Sequence, residues 1–191
     1  MALVFEKPSL RTRVSFEVGV RQMGGSCIYL SQADIGMGVR EPVADVARVL
    51  DRLVDVIVAR VFSHCSLEIL AENTSIPVIN ALSDLAHPCQ ALGDLLTIRQ
   101  HKGKLEGVEV AFIGDGNNVA TSWIHAAVRF GFEIRLACPE SMAPDPAVLA
   151  WADDNGGRVL LAGDARAAAD GADCVVTDTW VSMGAEPGAN H

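Results

Sequence analysis

Short β-branched runs alternate with stretches of helical period along the whole chain. Residues 55–59, 76–80, 108–113, 133–137 and 174–177 are short runs rich in β-branched and other apolar residues, which read as buried parallel strands. Between them, Pro42 to Leu53 sets Val43, Val46, Ala47, Val49, Leu50 and Leu53 at helical spacing, with Pro42 suited to a first turn. His87 to Lys102 does the same with Leu92, Leu95, Leu96 and Arg99. Val119, Trp123, Ala126, Ala127 and Phe130 make a third stripe. Alternating βα units predict an α/β fold with parallel strands covered by helices on both faces. One stretch stays open on periodicity alone: Val14, Phe16, Val18 and Val20 alternate as a strand would, yet Phe16, Val20 and Met23 also fit a helix. The segment 102–107, with two glycines and high charge before an apolar run, divides the chain into halves, 1–103 and 104–191.

Composition narrows the function classes. The chain has 191 residues, half of them hydrophobic, and carries 15 basic against 24 acidic side chains for a net charge of −9. Bulk attraction to nucleic acid or to an anionic membrane surface is thereby disfavoured, so any anionic substrate must be held by a few local donors. No apolar run approaches the roughly 20 residues of a membrane span. The first residues lack the pattern of a secretory leader, and Cys27, Cys65, Cys89, Cys138 and Cys174 form neither a disulfide framework nor a metal cluster. A cytoplasmic chain with separate thiols is the expectation.

Five segments could carry chemistry. Phe5-Glu6-Lys7-Pro8-Ser9-Leu10-Arg11-Thr12-Arg13 runs from an apolar start into hydroxyls and guanidiniums. If a helix begins near Ser9, its free N–H groups, the hydroxyls of Ser9 and Thr12, and Arg11 could converge on a phosphate. The same residues would equally serve as an ordinary capped helix with solvated arginines. Arg60 closes an apolar strand, where open α/β sheets bind ligands, although surface arginines also sit at strand exits. His87-Pro88-Cys89-Gln90 opens a helix, with Pro88 at its first position and His87 placed to donate to a carbonyl oxygen or to serve structurally. Ile113-Gly114-Asp115-Gly116-Asn117-Asn118 matches only the opening of a dinucleotide loop, since Val119 replaces the third glycine. Asp178 follows a strand, where it could pair an ammonium group or cap a turn.

Taken in order, these segments resemble the ornithine carbamoyltransferases, from 5–13 through Arg48-Val49-Leu50, Arg60, 87–90 and 114–118 to Thr177-Asp178-Thr179-Trp180-Val181-Ser182-Met183-Gly184. The resemblance implies two parallel-sheet α/β domains: a carbamoyl phosphate-binding half over 1–103 and a Rossmann-like ornithine-binding half over 104–191. It also implies a helix after the arginine-rich motif. By the same resemblance Ser9, Leu10, Arg11 and Thr12 would cradle the phosphate, while Arg60, His87 and Gln90 would hold the carbamoyl group. Arg60 and His87 would act as the catalytic pair that polarises its carbonyl. Asn118, Asp178, Ser182 and Met183 match the ornithine positions, and their neutral or acidic character suits an amino-bearing substrate better than aspartate. No metal or organic cofactor is implied. The implied partners are carbamoyl phosphate and L-ornithine, with no nucleic acid or membrane, in a homotrimer.

The chain departs from the family pattern in three ways. Leu10 stands where many members have threonine, and Gly36 where Gln or His is common. The family's later His-Cys-Leu-Pro segment has no counterpart here. Both halves are therefore expected to be incomplete and the 191-residue chain alone to be inactive. The alternatives are a carbamoyltransferase for a related amine, such as N-acetylornithine or putrescine, and a non-catalytic carbamoyl phosphate-binding chain.

Overall fold

A computed structural model describes residues 1–179. The chain divides into two compact units, Met1–Cys89 and Gln90–His191. The first contains β1 (Ala2–Phe5), α1 (Leu10–Gln22), β2 (Ile28–Ser31), α2 (Gln32–Ile35), α3 (Val43–Asp51), β3 (Ile57–Arg60), α4 (His64–Glu72) and β4 (Val78–Leu82). Helix α5 (Pro88–Lys102) carries the chain into the second unit. There follow β5 (Glu109–Ile113), α6 (Asn118–Phe130), β6 (Glu133–Ala137), a 3-10 turn, α7 (Pro146–Asp154), β7 (Arg158–Leu161), α8 (Ala165–Ala169) and β8 (Cys174–Thr177).

Each unit is built on one four-stranded sheet, ordered β2-β1-β3-β4 in the first and β7-β6-β5-β8 in the second. All pairings are parallel. The α/β class expected from the alternating pattern is therefore present twice. Strands β1 and β3 are central, and every residue of both is buried, which is why they read as unbroken apolar runs until Arg60. In the first sheet the order reverses at β1/β3, and in the second at β5/β8. Such switch points open a crevice beyond the strands' carboxyl ends, and both phosphate-like and amine-like motifs of the sequence fall at these two crevices.

The alternating stretch 14–20, open on periodicity, belongs to helix α1, as the resemblance implies, because Ser9 starts the helix: its backbone is extended and its side chain accepts the Thr12 N–H. Several other local expectations need correction. Of the hydrophobic stripe predicted for 42–53, only Val46, Ala47 and Leu50 are buried, whereas Val49 and Leu53 are 55% and 73% exposed. Pro42 is the N-cap of α3 rather than part of its first turn. In α5 the core takes Ala91, Leu95 and Ile98, and Leu92 and Leu96 face outward. The strand predicted for 55–59 starts two residues later and ends at Arg60.

In the core of the second unit, Trp123 of α6 meets Phe132 edge-on at 5.9 Å, in one cluster with Phe112, Ile134 and Leu136. No helix among the described residues is long and apolar enough to cross a membrane.

Candidate functional site

In the first unit the crevice is built from the ends of β1, β3 and β4. The backbone N–H of Glu6 donates to Arg60 O at 2.9 Å, and Glu6 Oε2 accepts the N–H of Phe62 at 2.6 Å. The chain on both sides of Arg60 is thus clamped to the end of β1. On its other side β3 shifts register against β4, with Ala59 opposite Asn80 but Arg60 opposite Leu82, an irregularity of the kind that re-aims a side chain at a sheet's end.

Arg60 is only 3% exposed, and its Nε has no hydrogen-bond partner among the described residues. Burial lowers its pKa, and the nearby charge of Arg11 lowers it further. Two guanidiniums near one another, one of them buried, create a local demand for an anion in a chain that is acidic overall. Lys7 adds to this field. Its ammonium lies 4.9 Å over the Phe62 ring, and burial followed by the Arg60 charge lowers its pKa.

The start of α1 supplies neutral donors at the same crevice. Ser9 Oγ accepts the Thr12 N–H at 3.3 Å and donates to Thr12 Oγ1 at 2.9 Å. The hydroxyls of Ser9 and Thr12 are therefore brought together by the capped start of the helix. Leu10 is 78% exposed, so it can offer its backbone N–H but no polar side chain. Arg13 is engaged elsewhere. Its Nε donates to Glu17 Oε1 at 2.7 Å and its guanidinium lies 3.8 Å over Tyr29.

His87 is half-buried on the connection from β4, immediately before α5 begins at Pro88. The connection is held by a hydrogen-bonded turn around Ser83 and Ala86 and reaches to His64 at the start of α4. Sequence reasoning missed His64, Ser83 and Asn80, since none lies in a motif of charged residues. A fully buried serine on a predicted loop leaves no periodic signal. Gln90 is on the first turn of α5, where its Nε2 donates to Asp94 Oδ1 at 2.9 Å.

In the second unit the crevice lies after β5 and β8. Asn117 is the N-cap of α6, its Oδ1 accepting the N–H groups of Val119 and Ala120 at 2.8 and 3.3 Å. Its Nδ2 donates to Asp178 Oδ2 at 2.8 Å, which ties together the sequence-distant segments 114–118 and 177–179. Asn118 opens the helix, with its carbonyl accepting the Ser122 hydroxyl at 2.8 Å. Of the two adjacent asparagines, the structure thus gives Asn117 the contact with Asp178, a role that sequence reading alone did not assign. Gly116 is required by close approach, since a Cβ there would stand 2.4 Å from Pro144 N. Ser182 and Met183 lie outside the described residues. Among the described residues no cluster of His, Cys, Asp or Glu is arranged to hold a metal ion.

Comparison with known proteins also divides the chain in two, between residues 100 and 106. Residues 1–100 match the family model of the aspartate/ornithine carbamoyltransferase carbamoyl phosphate-binding domain, and residues 106–190 match that of the aspartate/ornithine-binding domain. The whole chain aligns with ornithine carbamoyltransferases of Nitrobacter winogradskyi, at 48% identity, and Bradyrhizobium diazoefficiens, at 50%. It spans 62% of the length of each. Among solved structures, ornithine carbamoyltransferase from Pyrococcus furiosus superposes with a TM-score of 0.91 at 47% identity, over 96% of this chain and 60% of that one. The Thermus thermophilus enzyme gives 0.86 at 49% identity, over 94% of this chain and 61% of that one. With both halves matched in order along almost its whole length, the chain belongs to the aspartate/ornithine carbamoyltransferase family.

Proposed function

We propose that the protein of which this chain forms part transfers the carbamoyl group of carbamoyl phosphate to the δ-amine of L-ornithine, giving L-citrulline and phosphate. The observation that carries this reading is the buried Arg60 guanidinium, set beside Arg11 at the crevice where Ser9 starts α1. A dianionic phosphate group answers all three features: N–H donors at a helix start, a hydroxyl pair and uncompensated positive charge. The names of the relatives support the choice of ornithine.

In this reading the phosphate is held by Ser9, the N–H groups of Leu10 and Arg11, the Thr12 hydroxyl and the Arg11 guanidinium. Arg60, His87 and Gln90 take the carbamoyl group. The neutral δ-amine attacks the carbonyl carbon, and negative charge develops on the carbonyl oxygen, where Arg60 and His87 stabilise it. The C–O bond to phosphate then breaks, the oxyanion re-forms a carbonyl, and the amine's surplus proton leaves with the phosphate. Asp178, oriented by Asn117, offers a carboxylate to the α-ammonium of ornithine, with Asn118 beside it. Ser182 and Met183 complete that subsite.

The reading extends to assembly and compartment. Val39, Val49 and Leu53 are apolar and exposed on and beside α3, which supports a complete protein that buries this face as a homotrimer. The five free thiols support a reducing, cytoplasmic setting.

A citrulline-forming assay of the complete protein across ornithine, N-acetylornithine, putrescine and aspartate tests the assignment. Preference for ornithine is expected. Preference for another amine would move the assignment to that amine, and carbamoyl phosphate binding without turnover on any of them would leave a binding protein.

A further inference from the structure

Ser83 is fully buried on the connection between β4 and α5, and its hydroxyl is a junction. The Ala86 N–H donates to Ser83 Oγ at 3.2 Å, and the Ser83 N–H donates to Ala86 O at 2.9 Å. These reciprocal bonds close a turn that ends one residue before His87. Asn80 Nδ2 reaches the same two acceptors, Ser83 Oγ and Ala86 O, at 3.4 Å each. The Cys89 thiol, on the far side of His87, donates to Asn80 O at 3.3 Å. The chain on both sides of His87 is therefore referred back to Asn80 and Ser83.

One contact to this junction comes from a different loop. His64, the first residue of α4, places its Nδ1 2.9 Å from Ser83 Oγ, closer than Asn80 Nδ2, Ala86 N or Ala86 O. Its backbone N–H donates to Asp84 Oδ1 at 2.7 Å, a second fastening between the same two loops. A serine hydroxyl has one proton to give. In the tautomer that leaves Nδ1 unprotonated, Ser83 Oγ donates this proton to His64 Nδ1 at 2.9 Å, a shorter contact than the 3.4 Å to Ala86 O. The ring thus holds the hydroxyl in the orientation that leaves an oxygen lone pair on the Ala86 amide. Without the ring, the proton turns to Ala86 O at 3.4 Å, and the turn before His87 loses its side-chain contact from the start of α4 and keeps the backbone bond to Asp84.

We propose that His64 is a positioning residue for His87: acting through Ser83, its ring holds the turn that sets the direction of the His87 imidazole. The proposal rests on the carbamoyl-transfer reading for its catalytic consequence, but the effect on His87 itself is independent of that reading. Small misplacements of a reacting-site group can cost about 100-fold in rate. The phosphate-holding residues on α1 are not part of this network, so turnover suffers more than carbamoyl phosphate binding.

The test compares His64→Ala and His64→Asn, the latter carrying an Oδ1 acceptor at the place of Nδ1. Two readouts are taken in the complete protein: kcat and KM, and the His87 ring resonances after isotopic labelling. His64→Ala is expected to lower kcat by about 10- to 100-fold with KM for carbamoyl phosphate little changed, and to shift the His87 signals. His64→Asn is expected to restore both. In a Ser83→Ala background, His64→Ala is expected to add little further loss, because the two residues act through one contact. Unchanged His87 signals in His64→Ala, failure of His64→Asn to rescue, or additive losses in the double variant would each overturn the proposal. If the complete protein makes no citrulline, the carbamoyl-transfer reading fails while the resonances still decide the coupling.

Discussion

Asn117 and Asp178 are 61 residues apart in sequence, yet Asn117 Nδ2 donates to Asp178 Oδ2 at 2.8 Å while the other end of the same amide caps α6. One side chain thereby fixes both the start of a helix and the direction of a carboxylate. Replacing Asn117 by Asp keeps the capping oxygen but sets a second carboxylate against Asp178, so it separates the two roles. Asn117→Asp should retain most of the helix's stability and raise the KM for ornithine. Asn117→Ala should lose the cap as well, at a cost of about 1–2 kcal/mol. Denaturant unfolding alongside ornithine kinetics distinguishes the two variants. Equal ornithine KM in Asn117→Asp and the parent would remove Asp178 orientation from the account.

Two glycines should respond in opposite directions. A Cβ on Gly116 would lie 2.4 Å from Pro144 N and 2.7 Å from Met142 O, both backbone atoms, so Gly116→Ala must displace the chain after β6. It is expected to destabilise the second unit by about 1–3 kcal/mol. Gly93 is exposed within α5 with open space around it. Gly93→Ala should stabilise by roughly 1 kcal/mol through helix propensity. Chemical unfolding midpoints check both signs.

The packing of α7 on α6 carries a pH dependence. His125 meets the Trp151 ring edge-on at 4.5 Å, and burial, with the Arg129 charge second, lowers its pKa. A folded-state value below the unfolded one of about 6.5 means the neutral ring is the one that packs. Its stabilising contribution is full above that unfolded value and is lost as the pH falls through the folded one. Melting temperature measured from pH 7.5 down to 5 should therefore drop less in His125→Phe than in the parent. Parallel curves would mean that His125 does not titrate on unfolding in this range.

How far the sequence could be read depended on what each residue reports. Strands β3, β5 and β6 were legible because most of their residues are buried, β8 by its β-branched run although Val175 and Thr177 are exposed at a sheet edge, and Pro88 marked the start of α5. Among the elements not recovered are strand β7 and helix α8. The former has mostly exposed residues at a sheet edge, and the latter spans only Ala165–Ala169. Helix α1 was ambiguous because its alternating valines do not report burial: Val14 and Val18 are exposed, and the Ser9 cap decides the conformation. In the candidate site, Ser9, Arg11, Thr12, Arg60 and Asp178 stood out by residue type. Asn117 and Ser83 did not, because each acts by orienting a neighbour through bonds between segments that only the folded chain brings together.

The central claim is that Arg60 is a buried cation kept for an anionic substrate rather than for the fold. Arg60→Met keeps much of the side-chain volume and removes a charge whose Nε has no partner among the described residues. Removing such a group should leave folding stability unchanged or raised, because its desolvation is not offset within the protein. Carbamoyl phosphate titrated calorimetrically into the complete protein should bind Arg60→Met more weakly by about 1.5–3 kcal/mol, the loss of a charge-assisted contact. Lower stability together with parental affinity for carbamoyl phosphate would contradict the account.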